Sequence, residues 1–287
     1  MTSNDEWIDL HLHSSCSDGL LTPSQVIQKA KEKKLKAVGI VDHDTIEGVS
    51  EAIEKGNKIG VEVVPGVELS SKYKNTDIHI IGYYINPDYP PLKDYLKRFR
   101  DERLRRAQKM VKNLNKLGLK LSMDEVLCKA QGKSLGRPHL AEVLMEKGYV
   151  ETFQEAFHKY IGYGSAAYEE KYRISPEEAI SLISKARGLS FLAHPGYTIH
   201  DEDIACFVKS GLDGLEVLHP NLNENRTQHL QKIAQDHHLL MSGGSDCHGG
   251  RNGKMFIGQY SVPYAILEDM KKVLKSRWAE NDLYWDI

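Results

Sequence analysis

Histidines are frequent in this sequence, and several of them stand next to acidic residues. The chain of 287 residues contains 13 His. Two pairs share a spacing of two residues, His11 with His13 and Asp246 with His248. Alternate residues of a β-strand point to the same face, so both members of such a pair can reach one ion. Imidazole combined with carboxylate suits Zn, Fe or Mn, so the pattern predicts a metal centre.

The segments that carry these residues alternate between strand-like and helix-like patterns. Strands are predicted at 7–12, 37–41, 62–67, 78–85, 190–193, 214–218 and 239–243. Helices are predicted at 22–34, at 45–59, from Ser175 onwards and at 223–237. Such alternation predicts a parallel sheet with right-handed crossovers, either closed into a distorted (β/α)7 barrel or open and doubly wound.

Histidines and acidic residues fall at or just after the ends of these predicted strands. The histidines are His11, His13, His43, His79, His194, His219 and His248, and the acidic residues are Asp18, Asp42, Asp44, Glu68 and Asp246. Taken singly, each could pack in a core or cap a turn. Packing gives no reason for histidines to gather at one end of successive strands, whereas the carboxyl ends of parallel strands share one crevice. We therefore expect a joint metal site, in which a bridging carboxylate lets two cations share a hydroxide.

Composition and charge exclude several other classes of protein. There are 38 Lys and Arg against 40 Asp and Glu, for a net charge of −2, and 40% of residues are hydrophobic. Such a chain can bury one large core or two smaller ones, which excludes disorder, collagen and a coiled coil. It lacks the run of roughly 18 apolar residues that a membrane span needs, and its start lacks signal-peptide features, so a cytoplasmic location is expected. The four cysteines have no CxxC spacing and are expected to be reduced thiols.

The middle of the chain has helical patterning and no predicted strand. We predict an inserted all-α subdomain at 97–171, between two parts of the barrel at 1–96 and 172–287. Its first predicted helix, 97–120, carries ten Lys or Arg against two acidic residues, a local charge of +8. Such a run either is a solvated helix face or attracts a phosphate-bearing or nucleic-acid ligand.

Several segments resemble the motifs of the PHP (polymerase and histidinol phosphatase) family. They are DLHLHSSCSDG at 9–19, VDHDT at 41–45, PGVE at 65–68 with His79 beyond it, AHP at 193–195 and GSDCH at 244–248. The resemblance lies on both flanks of the insertion. It implies a distorted seven-stranded barrel with two to three divalent cations in a cleft at the strand ends.

The resemblance also implies how the ligands are shared. His11, His13, Glu68 and Asp246 would bind a first cation, Glu68 with His79 and His194 a second, and Asp18, His43 and His248 a third. Manganese is the expected metal, and Fe or Zn would fit the same ligands. Asp42 and Asp44 are expected either to orient imidazole N–H groups or to cap turns.

Hydrolysis of a phosphoester is the reaction that the resemblance implies. A hydroxide held between the cations would attack phosphorus in line with the leaving oxygen, while the cations neutralise the developing charge. No protein nucleophile is expected, and the sequence has neither a serine-elbow motif nor a Gly-rich phosphate loop.

The insertion resembles that of a PHP subgroup of nucleotide phosphatases, through the segment GRPHLA at 136–141. Members of this subgroup remove the 3′-phosphate from nucleoside 3′,5′-bisphosphates, and some degrade short RNA from the 5′ end. We expect Arg137 and His139 to grip a substrate phosphate, because a guanidinium fork matches two phosphate oxygens. The alternative is a salt bridge for Arg137 and a surface position for His139. Lys171 or Arg251 could assist, and Glu216 and His219 are expected to face the substrate.

Other functions would use the same residues differently. A histidinol-phosphate phosphatase would share the barrel and the metals, but the helical insertion favours a different substrate pocket. An amidohydrolase-like enzyme would use a metal-bridging lysine, and no Lys stands at a predicted strand end. A nucleic-acid-binding module working through helix 97–120 would have no need of a complete ligand set. The expected function is hydrolysis of nucleotide phosphomonoesters or short 5′-phosphorylated RNA, with no membrane and no obligate protein partner.

Overall fold

The computed structural model describes residues 6–130, 135–250, 255–278 and 284–285. The chain divides into two compact units. One, here called the barrel unit, comprises Met1–Lys93 and Ile174–Ile287, and the other, the helical unit, comprises Asp94–Arg173. The division into barrel parts 1–96 and 172–287 around an inserted domain at 97–171 stays a prediction.

Eight strands form one mixed sheet in the barrel unit. They are β1 (Trp7–Leu12), β2 (Ala37–Ile40), β3 (Glu62–Tyr73), β4 (Thr76–Tyr83), β5 (Leu189–Leu192), β6 (Gly214–Leu218), β7 (Leu240–Gly243) and β8 (Val262–Pro263). Their order in the sheet is β7-β6-β5-β4-β3-β2-β1-β8. Beyond β7, Cys247 pairs with Leu12 at the end of β1, so the sheet nearly closes on itself. This confirms the predicted α/β barrel.

Ten α-helices accompany the strands among the described residues. They are α1 (Pro23–Glu32), α2 (Val49–Ile59), α3 (Pro90–Lys116), α4 (Met123–Ala130), α5 (Arg137–Glu146), α6 (Phe153–Ala156), α7 (Pro176–Lys185), α8 (Asp201–Lys209), α9 (Glu224–Asp236) and α10 (Ala265–Arg277), with a π-helical turn at Phe157–Ile161 after α6. None of these helices is long and apolar enough to span a bilayer.

Parallel pairing holds for only part of the sheet. β1, β2 and β3 are parallel, as are β5, β6 and β7. The prediction was wrong for β4, which runs antiparallel to both β3 and β5. Only two residues connect β3 to β4, whereas a parallel crossover needs a dozen or more. The hairpin returns the start of β4 to the carboxyl end of the parallel strands, so His79 still reaches that end.

Helix starts follow their capping residues. Thr22 caps α1 and Ser175 caps α7, and each side chain accepts a hydrogen bond from the third helical residue, which bonds back to the cap. The structure differs at α2, which begins at Val49 rather than 45. Residues 45–48 instead form a loop that ends in a turn at 47–48.

Strand β1 supplies residues to two hydrophobic clusters. Ile8 and Leu10 are fully buried in one cluster and Leu12 in the other, and the register of β1 against β2 shifts between Asp9 and Leu12. Asp9 and His11 are also fully buried. Fully buried polar side chains need hydrogen-bond partners, which are Ser245 for Asp9 and Glu216 for His11.

The helical unit has its own hydrophobic core. Met110 and Leu114 of α3 pack in one cluster with Leu140 and Leu144 of α5 and with Ile161. Its described residues form helices and turns but no strand, as predicted. The first helix extends over Pro90–Lys116 rather than 97–120, so Lys120 lies beyond its end.

Candidate metal centre

All nine predicted ligands lie in one cluster at the carboxyl end of the parallel strands. They are His11, His13, Asp18, His43, Glu68, His79, His194, Asp246 and His248, and close contacts link every member to the rest. The most deeply placed are His11, His13 and Glu68, which are fully buried. The cluster is therefore sealed at its base, and its outer members are partly exposed.

Glu68 stands at the centre of the cluster. Its two carboxylate oxygens face different histidines. Oε2 lies 3.4 Å from Nε2 of His11, 3.3 Å from Nε2 of His13 and 2.9 Å from Nδ1 of His43. Oε1 lies 2.8 Å from Nδ1 of His79 and 3.2 Å from Nε2 of His194. Oε2 thus faces His11, His13 and His43, and Oε1 faces His79 and His194. A carboxylate placed in this way could bridge two ions.

The innermost group joins β1 to the segment after β7. The Nε2 atoms of His11 and His13 are 3.0 Å apart. Oδ1 of Asp246 lies 3.5 Å from the first nitrogen and 3.0 Å from the second. These atoms converge on one point together with Oε2 of Glu68, as the ligands of a single ion do.

The outer group lies on the more exposed side. His248 Nε2 is 3.1 Å from Asp18 Oδ1, and the rings of His13 and His248 stack with centroids 4.2 Å apart. Ligand atoms of His13, Asp18, His43 and His248 all lie within 4.8 Å of one another. His13 and His43 thus each lie close to two sets of candidate ligands, so the three expected ligand sets overlap in space.

Three of the non-glycine residues with a positive φ lie in the cluster or next to it. His194 has a φ of 31°, Asp246 of 48° and Asp44 of 51°, all in the left-handed region that non-glycine residues rarely adopt. Such conformations persist only when surrounding bonds hold them. The backbone N–H of His194 donates to Oε2 of Glu216 at 2.7 Å, which is one of those bonds.

Glu216 on β6 is a functional residue whose role the sequence analysis missed. It is fully buried, and the expectation that it faces the substrate stays a prediction. Oε1 accepts a hydrogen bond from Nδ1 of His11 at 2.8 Å, which turns Nε2 of that ring toward the cluster. The alternation of Glu216 with the apolar Leu215 and Val217 indicates the inward face and could have revealed this position.

His219, which we expect to face the substrate, lies beside Asp246. It is only 1% exposed, and its Nε2 lies 3.2 Å from Oδ2 of Asp246. Its Nδ1 accepts the backbone N–H of Asn221. His219 could also hold a metal ion together with His11 and Asp246, and its contact with the substrate stays a prediction.

Three buried aspartates each clamp a serine next to the cluster, through both the backbone N–H and the hydroxyl of that serine. The pairs are Asp9 with Ser245, Asp42 with Ser14 and Asp44 with Ser70. Ser245 precedes Asp246, Ser14 follows His13, and Ser70 lies two residues after Glu68. The carboxylate of Asp42 accepts hydrogen bonds from Ser14 and Ser17, which supports the alternative in which Asp42 holds the turn at 14–17. That Asp42 or Asp44 orients an imidazole stays a prediction.

The cluster strongly perturbs the pKa values of its members. Burial favours neutral His13, but hydrogen bonds to Asp246 and Glu68 outweigh it and raise the pKa of His13 to about 10. Burial favours neutral Glu68, but the nearby His43, His79 and His11 hold its pKa well below the usual range. Burial raises the pKa of Asp9 to about 6. The site therefore binds positive charge strongly, as protons or as metal ions.

Buried polar atoms of the cluster that lack a hydrogen-bond partner show whether divalent cations would fit this site. In the part of the chain that the structure describes, four buried atoms of the cluster lack an aligned hydrogen bond: Nδ1 of His13, His43 and His79, and Oε2 of Glu68. Buried polar atoms are nearly always paired, and an ion would supply a partner for those of His43, His79 and Glu68. Nδ1 of His13 is a different case, because Nε2 is the nitrogen of that ring that faces Glu68 and Asp246. A set of imidazoles and carboxylates converging on shared points suits Mn, Fe or Zn, so the residues present fit metal ions.

In the helical unit, the predicted substrate residue Arg137 belongs to a group of arginines. Its guanidinium carbon lies 5.1 Å from the ring centroid of Phe157 and 5.8 Å from that of Tyr168. Arg106 lies 5.7 Å from the same tyrosine ring, and Arg103 donates to the carbonyl of Leu135. Burial, followed by the charges of Arg137 and its neighbours, lowers the pKa of Arg106 to about 10.

The other predicted substrate residues have local partners. Nδ1 of His139 accepts the backbone N–H of Gly136 at the start of α5. Nζ of Lys171 lies 5.2 Å from the ring centroid of Phe99. Arg251 lies outside the described residues.

Comparisons with known proteins agree with this geometry. Residues 9–194 match the PHP domain family. The 5′-3′ exoribonuclease Rnm of Salmonella typhimurium is 33% identical over 247 residues, which are 84% of each chain. The 3′,5′-nucleoside bisphosphate phosphatase of Chromobacterium violaceum is 31% identical over 279 residues, 95% of each chain. The crystal structure of a proposed metal-dependent phosphoesterase from Bifidobacterium adolescentis has a TM-score of 0.82 and 30% identity, covering 94% of this chain and 96% of that one.

Proposed function

This chain belongs to the PHP domain family and is a hydrolytic phosphoesterase, and we propose that its substrates are nucleotides. It removes the 3′-phosphate from nucleoside 3′,5′-bisphosphates or the phosphate of AMP-like nucleotides, and it also acts on short 5′-phosphorylated RNA. The observation that carries the phosphoester chemistry is the convergence of eight imidazole and carboxylate side chains around Glu68, which fits metal ions. The nucleotide relatives, which align over most of their length, support the choice of substrate.

Three groups of residues would hold the cations. We assign His11, His13, Glu68 and Asp246 to the first cation, Glu68 with His79 and His194 to the second, and Asp18, His43 and His248 to the third, with manganese as the metal. When bound, such cations supply an activated water for in-line attack on phosphorus and neutralise charge on its oxygens.

The residues of this chain hold and orient the site. Glu216 accepts from Nδ1 of His11 and thereby fixes the direction in which Nε2 points. The hydroxyls of Ser14, Ser70 and Ser245 donate to buried aspartates and so fix the segments next to the candidate ligands. The proposed reaction uses no protein nucleophile, because the attacking oxygen would come from water activated by the cations.

Access to the cluster is from the side of its outer members. The side chain of Asp18 is 40% exposed, and those of Asp246 and His248 are 24% and 22% exposed, whereas His11, His13 and Glu68 are inaccessible. A substrate phosphate would approach from the exposed side. The buried side keeps water from the innermost ligands, which strengthens their electrostatic interactions.

Arginines of the helical unit support a substrate with phosphate groups. Arg103, Arg106 and Arg137 lie together, and their mutual repulsion contributes to the lowered pKa of Arg106. A bound phosphate would relieve this repulsion, because guanidinium groups pair with phosphate oxygens through two bonds at once. We assign Arg137, assisted by His139 and Lys171, to contact with a substrate phosphate.

Substrate preference tests the proposal. Metal-stripped protein is supplied with Mn²⁺ and given adenosine 3′,5′-bisphosphate, AMP, histidinol phosphate or a short 5′-phosphorylated RNA, and phosphate or nucleotide release is measured. We expect the highest kcat/KM for the bisphosphate or the RNA. A preference for histidinol phosphate would contradict the nucleotide proposal. Salt-sensitive binding of RNA without hydrolysis would point instead to a binding role for the basic segment 97–120.

A substitution at Arg137 tests the phosphate contact. Loss of a charge-assisted hydrogen bond costs about 1.5–3 kcal/mol, so kcat/KM of Arg137→Ala for a nucleotide should fall about 10- to 150-fold. Arg105→Ala is the matched control, because Arg105 lies on α3 and pairs with Glu102 at the surface. Bound metal should be unchanged in both variants. An unchanged kcat/KM for Arg137→Ala would remove Arg137 from the substrate site.

A further inference from the structure

Tyr197 is an exposed aromatic ring that is nonetheless held in place. It lies between β5 and α8 and is 64% exposed. Its hydroxyl donates to Oδ1 of Asn223 at 2.8 Å. Asn223 also caps α9, where the same oxygen accepts the backbone N–H of Arg226. The ring is therefore tied to the start of a helix although most of its surface faces water.

Arg226 fixes the loop that carries this ring. Its guanidinium is buried and donates to three backbone carbonyls, those of Pro195, Gly196 and Ile199, at 2.8–3.1 Å. The guanidinium carbon also lies 5.5 Å from the centroid of the Tyr197 ring. A cation behind the ring and a fixed loop beneath it leave one face of the aromatic system oriented before any ligand arrives.

The position of the ring relates it to the metal cluster. Tyr197 follows His194 by three residues, which span at most roughly 11 Å. Asn223 follows His219 in the next loop, and both loops leave the carboxyl ends of their strands. A side chain added at Gly196 would meet nothing within 4 Å apart from its chain neighbours, so the space at this position of the loop is open.

We propose that Tyr197 is the surface on which the base of a bound nucleotide stacks. This inference rests on the proposed function and deepens it. The cluster itself recognises only a phosphate, which every phosphoester shares, so preference for nucleotides needs a contact with another part of the substrate. A preoriented, exposed aromatic face suits a nucleobase, because every base offers a π-face for stacking. Tyr197 is thus a specificity-determining residue rather than a ligand of the metal.

Binding of two unreactive ligands by the Mn²⁺-loaded protein tests this assignment. The ligands are phosphonate analogues of AMP and of ribose 5-phosphate, in which a methylene group replaces the ester oxygen so that hydrolysis cannot occur. Isothermal titration calorimetry gives Kd for each. Since stacking on an aromatic side chain contributes about 1–3 kcal/mol per base, Tyr197→Ala should raise Kd of the AMP analogue about 5- to 150-fold. Kd of the baseless analogue should change less than about twofold, because it makes no stacking contact.

Two further variants separate stacking from structural effects. Tyr197→Phe loses the bond to Asn223 but keeps the ring, and it should bind the AMP analogue within about threefold of wild type because the stacking surface is unchanged. Tyr284→Ala is the matched control: that ring is 45% exposed, and its hydroxyl donates to Asp88. Asp88 follows the carboxyl end of the antiparallel β4, at the end of the sheet away from the cluster. This variant should bind both analogues as wild type does.

The outcomes distinguish a failure of base stacking on Tyr197 from a failure of the proposed nucleotide phosphoesterase function. If wild type hydrolyses nucleotides but Tyr197→Ala binds the AMP analogue with unchanged Kd, stacking is overturned and the proposed function stands. Equal weakening of both analogues in Tyr197→Ala also overturns stacking, because it indicates a disturbed loop. If wild type hydrolyses no nucleotide and binds the two analogues equally, both the function and the inference fail.

Discussion

Replacing Glu216 with glutamine should weaken metal binding without removing any ligand. In the wild type, its two oxygens each accept one N–H, from His11 Nδ1 at 2.8 Å and from the His194 backbone at 2.7 Å. A glutamine of the same shape offers one oxygen and one NH2 group. One of the two N–H groups must therefore face another donor in a fully buried position, at a cost of about 1–3 kcal/mol.

This cost should lower the affinity for metal, because both hydrogen bonds position candidate ligands, His11 and His194. Changing a residue that orients a metal-bound histidine reduces metal affinity about 10- to 100-fold. We expect Kd for Mn²⁺ of Glu216→Gln to rise by that factor, measured by isothermal titration calorimetry on metal-stripped protein. The loss of a negative charge beside the cluster acts in the same direction.

Glu62→Gln is the matched control for this substitution. Glu62 begins β3, away from the cluster, and its oxygens accept the hydroxyl of Tyr264 and pair with Lys271. Its Mn²⁺ affinity should stay within about twofold of wild type, since no candidate ligand depends on it. If Glu216→Gln keeps the melting temperature and binds Mn²⁺ as wild type does, the positioning role of Glu216 is refuted.

Three further predictions concern protons, a glycine and a helix cap. The pKa of His13 is raised from an ordinary 6.5 to about 10, so this ring is protonated in the metal-free protein at neutral pH. The protonated ring stabilises the folded protein; this stabilisation is complete below pH 6.5 and is lost as the pH rises through 10. Mn²⁺ must displace this proton, so affinity should rise with pH up to about 10, and titrations in buffers of different ionisation enthalpy should detect proton release at pH 7.5; binding without release would contradict this. Gly244→Ala would place a Cβ 2.4 Å from Cβ of His11 and 2.5 Å from its backbone nitrogen, so it should lower both the melting temperature and Mn²⁺ affinity, and a variant with wild-type values of both would refute the close packing. Ser175→Ala removes the reciprocal cap of α7 and should cost about 1 kcal/mol, a fall in Tm of about 2–4 °C at unchanged Mn²⁺ affinity; an unchanged Tm would mean that the cap contributes nothing.

Local patterns were sufficient to predict the alternating strands and helices and the gathering of the histidines, whereas closure of the sheet into a barrel was implied only by the resemblance to the PHP family. Strand alternation placed His11 and His13 on one face, and the carboxyl ends of parallel strands have a common direction in any barrel. His79 reached the cluster although the direction of its strand was predicted wrongly, because the hairpin turns β4 back toward the same end. The helix starts at Thr22 and Ser175 were predictable since their capping residues act over only three positions.

Partners that are distant in sequence could not be predicted in the same way. Asp9 clamps Ser245 across 236 residues, and Glu216 supports His11 across 205 residues. Nothing local in either segment indicates its partner, and register between strands decides both contacts. Polar residues that alternate with apolar ones on buried strands, such as Glu216, are the signal that sequence reasoning should weigh more heavily.

Reconstitution of activity with metal tests the central claim most directly. Metal-stripped protein is titrated with Mn²⁺ while phosphate release from adenosine 3′,5′-bisphosphate is recorded, with His11→Ala in parallel. We expect no release before metal is added, activity that saturates at about two to three equivalents of Mn²⁺, and none in the variant, in agreement with cations that activate water for attack on phosphorus. Release by the stripped protein, or equal activity of His11→Ala, would contradict the assignment of this cluster as the catalytic metal centre.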